Sequence, residues 1–168
     1  MVRALPDDGN RYEVVDGELL VTPAPAEWHQ RAVAALLFEL TLYARAHGDC
    51  EVLPSPADIE PDVFVQGLVD GRPSVAWNTG APLLLVVEVL SPSTARADRT
   101  TKRRRFQRAR VPEYWILDLD ARVIERWRPD DDRPGVLAET IAWRPEGAAE
   151  PLTIALPPLF ARIHGERL

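Results

Sequence analysis

Apolar and polar positions change period along this chain, and each change marks an expected element. Tyr12–Val15 and Glu18–Val21 are short, largely apolar runs on either side of Asp16-Gly17. That dipeptide supplies the positive φ angles of a tight turn, so two antiparallel strands are predicted to open the fold. From Glu27 to about Ala46 the period lengthens: Val33, Leu36, Leu37, Leu40 and Ala44 fall on one side of a helix, and Gly48 lies just past its end. Pro54, Pro56 and Pro61 restrict Glu51–Leu53 and Asp62–Val65 to short strands or edge segments, and Gly67–Pro82 reads as a loop.

Leu83–Leu90 is an almost unbroken aliphatic run of the kind that fills a central strand covered on both faces. Ser91-Pro-Ser-Thr ends it and offers hydroxyls to cap a second helix, which starts at Arg96 or Asp98 and runs to Ala109. Tyr114–Leu117 and Val123–Trp127 form a hairpin across Asp118–Arg122. Ala138–Trp143 and Leu152–Leu156 read as later strands, and Pro157–Ile163 as a short closing helix. Strands interleaved with two long helices predict a mixed sheet covered by helices, an α/β or α+β sandwich.

Composition narrows the setting. A chain of 168 residues has room for a single domain, here expected over residues 1–168. No apolar stretch approaches the ~18 residues of a membrane-spanning helix, and Asp7 and Asp8 stand where a secretory signal is apolar. A cytoplasmic protein with no membrane partner is the expectation. Cys50 is the only cysteine, which excludes an internal disulfide and every multi-cysteine zinc pattern, so a metal would have to be held by oxygen or imidazole.

The net charge of −6 argues against a protein that coats nucleic acid, but the charge is unevenly spread. Arg96, Arg99, Lys102, Arg103, Arg104, Arg105, Arg108 and Arg110 stand against Asp98 alone within fifteen residues. Such a block is either a solvated face or a patch for a polyanion.

Three residues carry the candidate chemistry. Glu88 interrupts the aliphatic run, where side chains alternate between the two faces of a sheet. A carboxylate so placed needs a cation or strong hydrogen bonds, unless the strand reaches the surface there. Asp62 follows Pro61 at the start of a short strand; alone this marks a turn, but with Glu88 it makes a pair of hard oxygen ligands suited to Mg²⁺.

Lys102 is the only lysine in a chain whose other basic residues are all arginines, and on a helix it shares a face with Phe106 and Ala109. A compact ammonium can contact water or phosphate oxygen where a planar guanidinium would not serve. Arg103, Arg104 and Arg108 project elsewhere on that helix and could meet a phosphate backbone. His29, in line with Val33, Leu36 and Leu40, is either a satisfied core histidine or a site residue.

The order of these segments carries a resemblance. Tyr12-Glu-Val-Val-Asp-Gly-Glu18-Leu, Thr22-Pro-Ala-Pro-Ala-Glu-Trp-His29-Gln30, Pro61-Asp62-Val, Leu85-Val-Val-Glu88-Val-Leu-Ser-Pro-Ser-Thr94, Asp98-Arg-Thr-Thr-Lys102 and Val111-Pro-Glu-Tyr-Trp-Ile-Leu-Asp118 together resemble the Uma2 family, grouped with the restriction endonucleases in the PD-(D/E)XK nuclease superfamily. The likeness spans roughly residues 11–128 and is most specific from Glu88 to Asp118.

It implies a restriction-endonuclease-like core with Asp62 and Glu88 as ligands of Mg²⁺, for which Mn²⁺ would substitute. The superfamily pattern sets a lysine two positions after the glutamate, where this chain has Leu90; the family takes it from the next helix, where Lys102 stands. Glu18 would by the same likeness lie near the site, as a further ligand or a water-orienting carboxylate, or else be an exposed hairpin residue; His29 and, for contact with DNA, Arg99, Arg103, Arg104 and Arg108 are candidates from their places on the two helices. The stretch Leu53–Pro61 is shorter than the strand, turn and strand the family places before its Pro-Asp.

The function expected is Mg²⁺-dependent hydrolysis of DNA phosphodiesters, by a homodimer if both strands are cut. A catalytically silent module that keeps the fold and binds nucleic acid or protein is the alternative. A metal-independent hydrolase with paired carboxylates is a third reading, and it leaves Lys102 unexplained.

Overall fold

The computed structural model describes residues 10–15, 17–23, 26–47, 49–54, 61–73 and 80–167; within the first two strands, side chains are described only at Asn10, Tyr12, Leu19, Val21 and Pro23. Strands β1 (Asn10–Val15) and β2 (Glu18–Pro23) pair antiparallel through Val15 and Glu18, with Gly17 at φ 86° in the turn. Helix α1 (Glu27–His47) follows. Its stripe of His29, Ala32, Leu36, Leu40 and Tyr43 is buried because these positions recur every three or four residues.

The sheet has six strands in the order β3-β4-β5-β6-β7-β8: β3 (Cys50–Pro54), β4 (Val63–Gly67), β5 (Leu83–Val89), β6 (Glu113–Asp118), β7 (Val123–Trp127) and β8 (Gly135–Leu137). Only β5 and β6 run parallel, so the chain must cross over between them. That crossover carries a short α2 (Ala95–Ala97), a π-helical turn (Asp98–Lys102) and α3 (Arg103–Arg108) in direct succession. A second small sheet pairs β9 (Thr140–Trp143) with β10 (Leu152–Ala155), and α4 (Leu156–Ile163) closes the chain with prolines in its first turn, where a missing N–H costs nothing.

Alternation along each central strand divides the core into two layers. Val63, Val65, Leu85, Val87, Trp115, Leu117 and Ile124 face α1, α4 and the small sheet. Phe64, Val86, Tyr114 and Ile116 face the opposite way, onto Phe106 of α3 and Val111. Glu88 has the same parity as Val86, which turns its side chain toward the crossover helix.

Several expectations are corrected here. Of the two forms expected for Asp62–Val65 the short strand holds and the edge does not: Pro61 precedes the five-residue β4, which lies between β3 and β5 and is buried along its whole length. The strand expected over Ala138–Trp143 starts at Thr140, and β8 occupies Gly135–Leu137 before it. Ala109 is exposed because α3 stops at Arg108 and the chain turns sharply at Arg110, φ 57°. Most of the stretch Leu53–Pro61 and the residue Gly48 lie outside the described residues.

Candidate active site

The end of β5 and the start of β4 meet through register. Val63 pairs with Val87 in an antiparallel ladder, which sets Asp62, one residue earlier, opposite Glu88, one residue later. Asp62 is fixed twice through one carboxylate oxygen: the Val89 N–H donates to Oδ2 at 2.8 Å, and His29 Nε2 lies 3.1 Å from the same atom. A neutral imidazole protonated on Nε2 can donate there, leaving Nδ1 buried without a hydrogen-bond partner among the described residues.

Glu88 is buried to 3% exposure and accepts a hydrogen bond from Lys102 Nζ at 2.9 Å; Lys102 itself is 4% exposed. The same ammonium lies 3.6 Å from Oδ1 of Asp98, which is 1% exposed. Burial pushes the Glu88 carboxyl well above its ordinary pKa. The Lys102 charge and hydrogen bond pull it down, and the charges of Asp62 and Asp98 push it up again. Two carboxylates thus contact one ammonium in a nearly dry pocket with Asp62 beside Glu88, an excess of negative charge that suits a hard divalent cation.

The donor set fits such an ion. Asp62 and Glu88 would hold it through oxygen; among the described residues no group of three or more His, Cys, Asp or Glu side chains is placed to hold a metal ion. Two carboxylates with water filling the remaining positions is how Mg²⁺ is commonly bound.

The structure brings His29, Asp62, Glu88 and Lys102 together. Glu18 pairs with Val15 at the tip of the hairpin, and its side chain lies outside the described residues. The arginines divide into two groups. Arg99 is folded back onto the sheet, its Nε donating to Glu125 at 2.7 Å and its Nη2 to Asp118 at 2.9 Å. Arg103 lies over the Trp127 ring, 4.6 Å from its centroid, and donates to the Gln107 side chain at 2.6 Å. These two guanidinium groups clamp the crossover helix to β6 and β7 instead of facing outward, whereas Arg104 and Arg108 are exposed.

The clamp has a measurable consequence. Arg99 joins two carboxylates on two strands, but its side chain keeps 39% exposure, so solvent screening limits its contribution. Arg99→Ala is expected to destabilise by about 1 kcal/mol, about 2–4 °C in Tm for a domain of this length, with the difference shrinking at high salt. Thermal melts at two ionic strengths check both parts.

In the sequence Asp98 stands as the lone acid of a basic run, a possible start of the second helix and the head of the Asp98-Arg-Thr-Thr-Lys102 segment, with no role of its own in the site. Its position four residues before Lys102, on the same buried face as Phe106, was the available signal.

A six-stranded mixed sheet with helices on both faces and acidic side chains at the ends of adjoining strands defines an α+β fold. A crystal structure described as a putative nuclease belonging to DUF820 from Anabaena variabilis superposes with a TM-score of 0.73 at 18% sequence identity, over 95% of this chain and 94% of that one. The model of the Uma2 family, described as "Putative restriction endonuclease", matches residues 2–161, and the chain belongs to that family. The search of curated proteins found no match. Among the described residues no helix is long and apolar enough to cross a membrane.

Proposed function

We propose that the protein is a Mg²⁺-dependent endonuclease acting on DNA, with Asp62 and Glu88 as metal ligands and Lys102 as the catalytic cation. The observation that carries this reading is the buried Lys102–Glu88 contact of 2.9 Å beside Asp62. A structural ion pair alone would not account for a third and a fourth ionisable group in the same dry pocket. The cost of burying them is offset if substrate and metal complete the charge balance.

A divalent ion held by Asp62 and Glu88 would supply polarisation of a non-bridging phosphate oxygen and a lowered pKa for an attacking water. The protein's own groups do the rest. Asp62 is held rigid by the Val89 N–H and by His29, so its free rotation is spent before substrate arrives. Lys102 directs its N–H groups at the phosphate, where negative charge builds as the attacking oxygen approaches. Arg104 and Arg108, exposed on the crossover helix, would attract the DNA backbone without reading its bases. Cutting of both strands would require two copies related by a two-fold axis.

The test is cleavage of supercoiled plasmid by the purified protein in Mg²⁺ or Mn²⁺, with EDTA and Asp62→Ala as controls. Nicking or linearisation that both controls abolish is the expected result. DNA retained on the protein but never cut, with either ion, would replace the enzyme with a silent binding module, and cleavage that survives EDTA would replace the metal with paired-carboxylate chemistry. A crystal soaked in Mn²⁺ should show anomalous density between Asp62 and Glu88.

A further inference from the structure

Asp98 is costly twice over. Aspartate is a poor residue inside a helix, and a carboxylate at 1% exposure has lost nearly all its hydration. Nor does it N-cap the turn it opens, since Ala97 stands at that position. What it faces is the Lys102 ammonium, 3.6 Å from Oδ1 and one turn further along.

The backbone between the two residues is unusual in a matching way. Asp98–Lys102 is a π-helical turn, a rare form that adds a residue to the turn. Residues four apart drift around an ordinary α-helix; a wider turn offsets that drift and keeps Asp98, Lys102 and Phe106 together on the sheet-facing side. The turn is pinned from the sheet, where the Tyr114 hydroxyl donates to the Asp98 carbonyl at 3.1 Å.

We propose that Asp98 is a positioning residue for Lys102, anchoring the ammonium through charge from its own helix while Glu88 anchors it from the sheet. An ammonium carries three N–H groups on a freely turning stem. Contact with two carboxylates from different elements stops that rotation, so the direction left for phosphate or water is set instead of averaged. The consequence for cleavage rests on the nuclease reading; the anchoring does not.

Because Lys102 is the only lysine, full-length protein grown on lysine labelled with ¹³C at Cε gives one resonance that needs no assignment. In the wild-type protein its two Hε protons are expected to have distinct shifts, the mark of a held side chain. Asp98→Ala should merge them into one averaged signal, and so should Asp98→Asn, which keeps the shape of the side chain and loses the charge that holds the ammonium. In plasmid cleavage Asp98→Ala and Asp98→Asn should each lower kcat about 10²-fold with KM for DNA unchanged.

A folded Asp98→Ala protein with the splitting intact and kcat preserved overturns the proposal. So does one whose melting temperature falls while the lysine signal stays as it was, because that is a packing role. If Asp98→Ala does not fold, the Asp98→Asn spectrum decides. If the wild-type protein cuts nothing, the nuclease reading fails and the Hε splitting still accepts or rejects the anchor.

Discussion

Lys102→Met is expected to reduce cleavage by about 10³-fold, the usual cost of removing a donor aimed at charge that develops in the transition state. Methionine keeps the length of the stem and removes only the ammonium, so packing against the sheet changes little. Stability should fall as well, because Glu88 and Asp98 are left without the cation they share. Breaking one side of a buried ion pair costs up to about 3–5 kcal/mol when the remaining charge cannot escape.

Glu88 can escape by taking up a proton, and that gives the variant a pH signature. Burial already raises its pKa, and the variant loses both the charge and the hydrogen bond of Lys102, the two effects that lower it. A carboxyl whose folded pKa lies above its unfolded one binds its proton more tightly in the folded protein. Its stabilising contribution is therefore complete below the ordinary glutamate pKa and is lost as pH rises through the raised folded value. The gap in Tm between wild type and Lys102→Met should be widest at neutral pH and narrow on acidification. A gap that stays constant from neutral pH to below the ordinary glutamate range would show that Glu88 does not feel the missing ammonium.

The residues that were legible in the sequence are those that violate a local pattern. Glu88 stands out because a single charge breaks an aliphatic strand, and its parity with Val86 follows from alternation alone. Lys102 stands out by rarity, and its helical spacing to Phe106 correctly gave the buried face. The β6–β7 hairpin and the long α1 followed from period and turn chemistry in the same way.

What stayed hidden depends on partners remote in sequence. Arg99 and Arg103 look like solvated cations until Asp118, Glu125 and Trp127 arrive from the neighbouring strands. Asp98 looked like relief in a basic run, and the π turn that keeps it on the buried side has no sequence signature of its own. Strand β8, three residues long, is too short for alternation to register. His29 kept both readings in the sequence; its contact with Asp62 makes it a buried support of the site whose Nδ1 has no hydrogen-bond partner among the described residues.

Glu88→Gln is expected to move stability and activity in opposite directions. The amide keeps the shape of the side chain and an oxygen that Lys102 can still reach, while removing a negative charge that burial, Asp62 and Asp98 all oppose. Lys102 retains Asp98 as a counter-ion, so the substitution does not strand it. In metal-free buffer at neutral pH, Tm should therefore rise by about 2–4 °C, the size of a ~1 kcal/mol gain in a domain of this length. The wild-type protein should become more stable on acidification as Glu88 takes up its proton, and the variant should lack that component. Added Mn²⁺ should reverse the order: the wild-type Tm climbs with ion concentration because binding favours the folded state, the variant responds weakly, and its cleavage drops about 10³-fold. A Glu88→Gln protein less stable than wild type in metal-free neutral buffer would mean that the contact with Lys102 outweighs burial, and that Glu88 sits in the fold as half of a structural pair instead of a charge held ready for a metal.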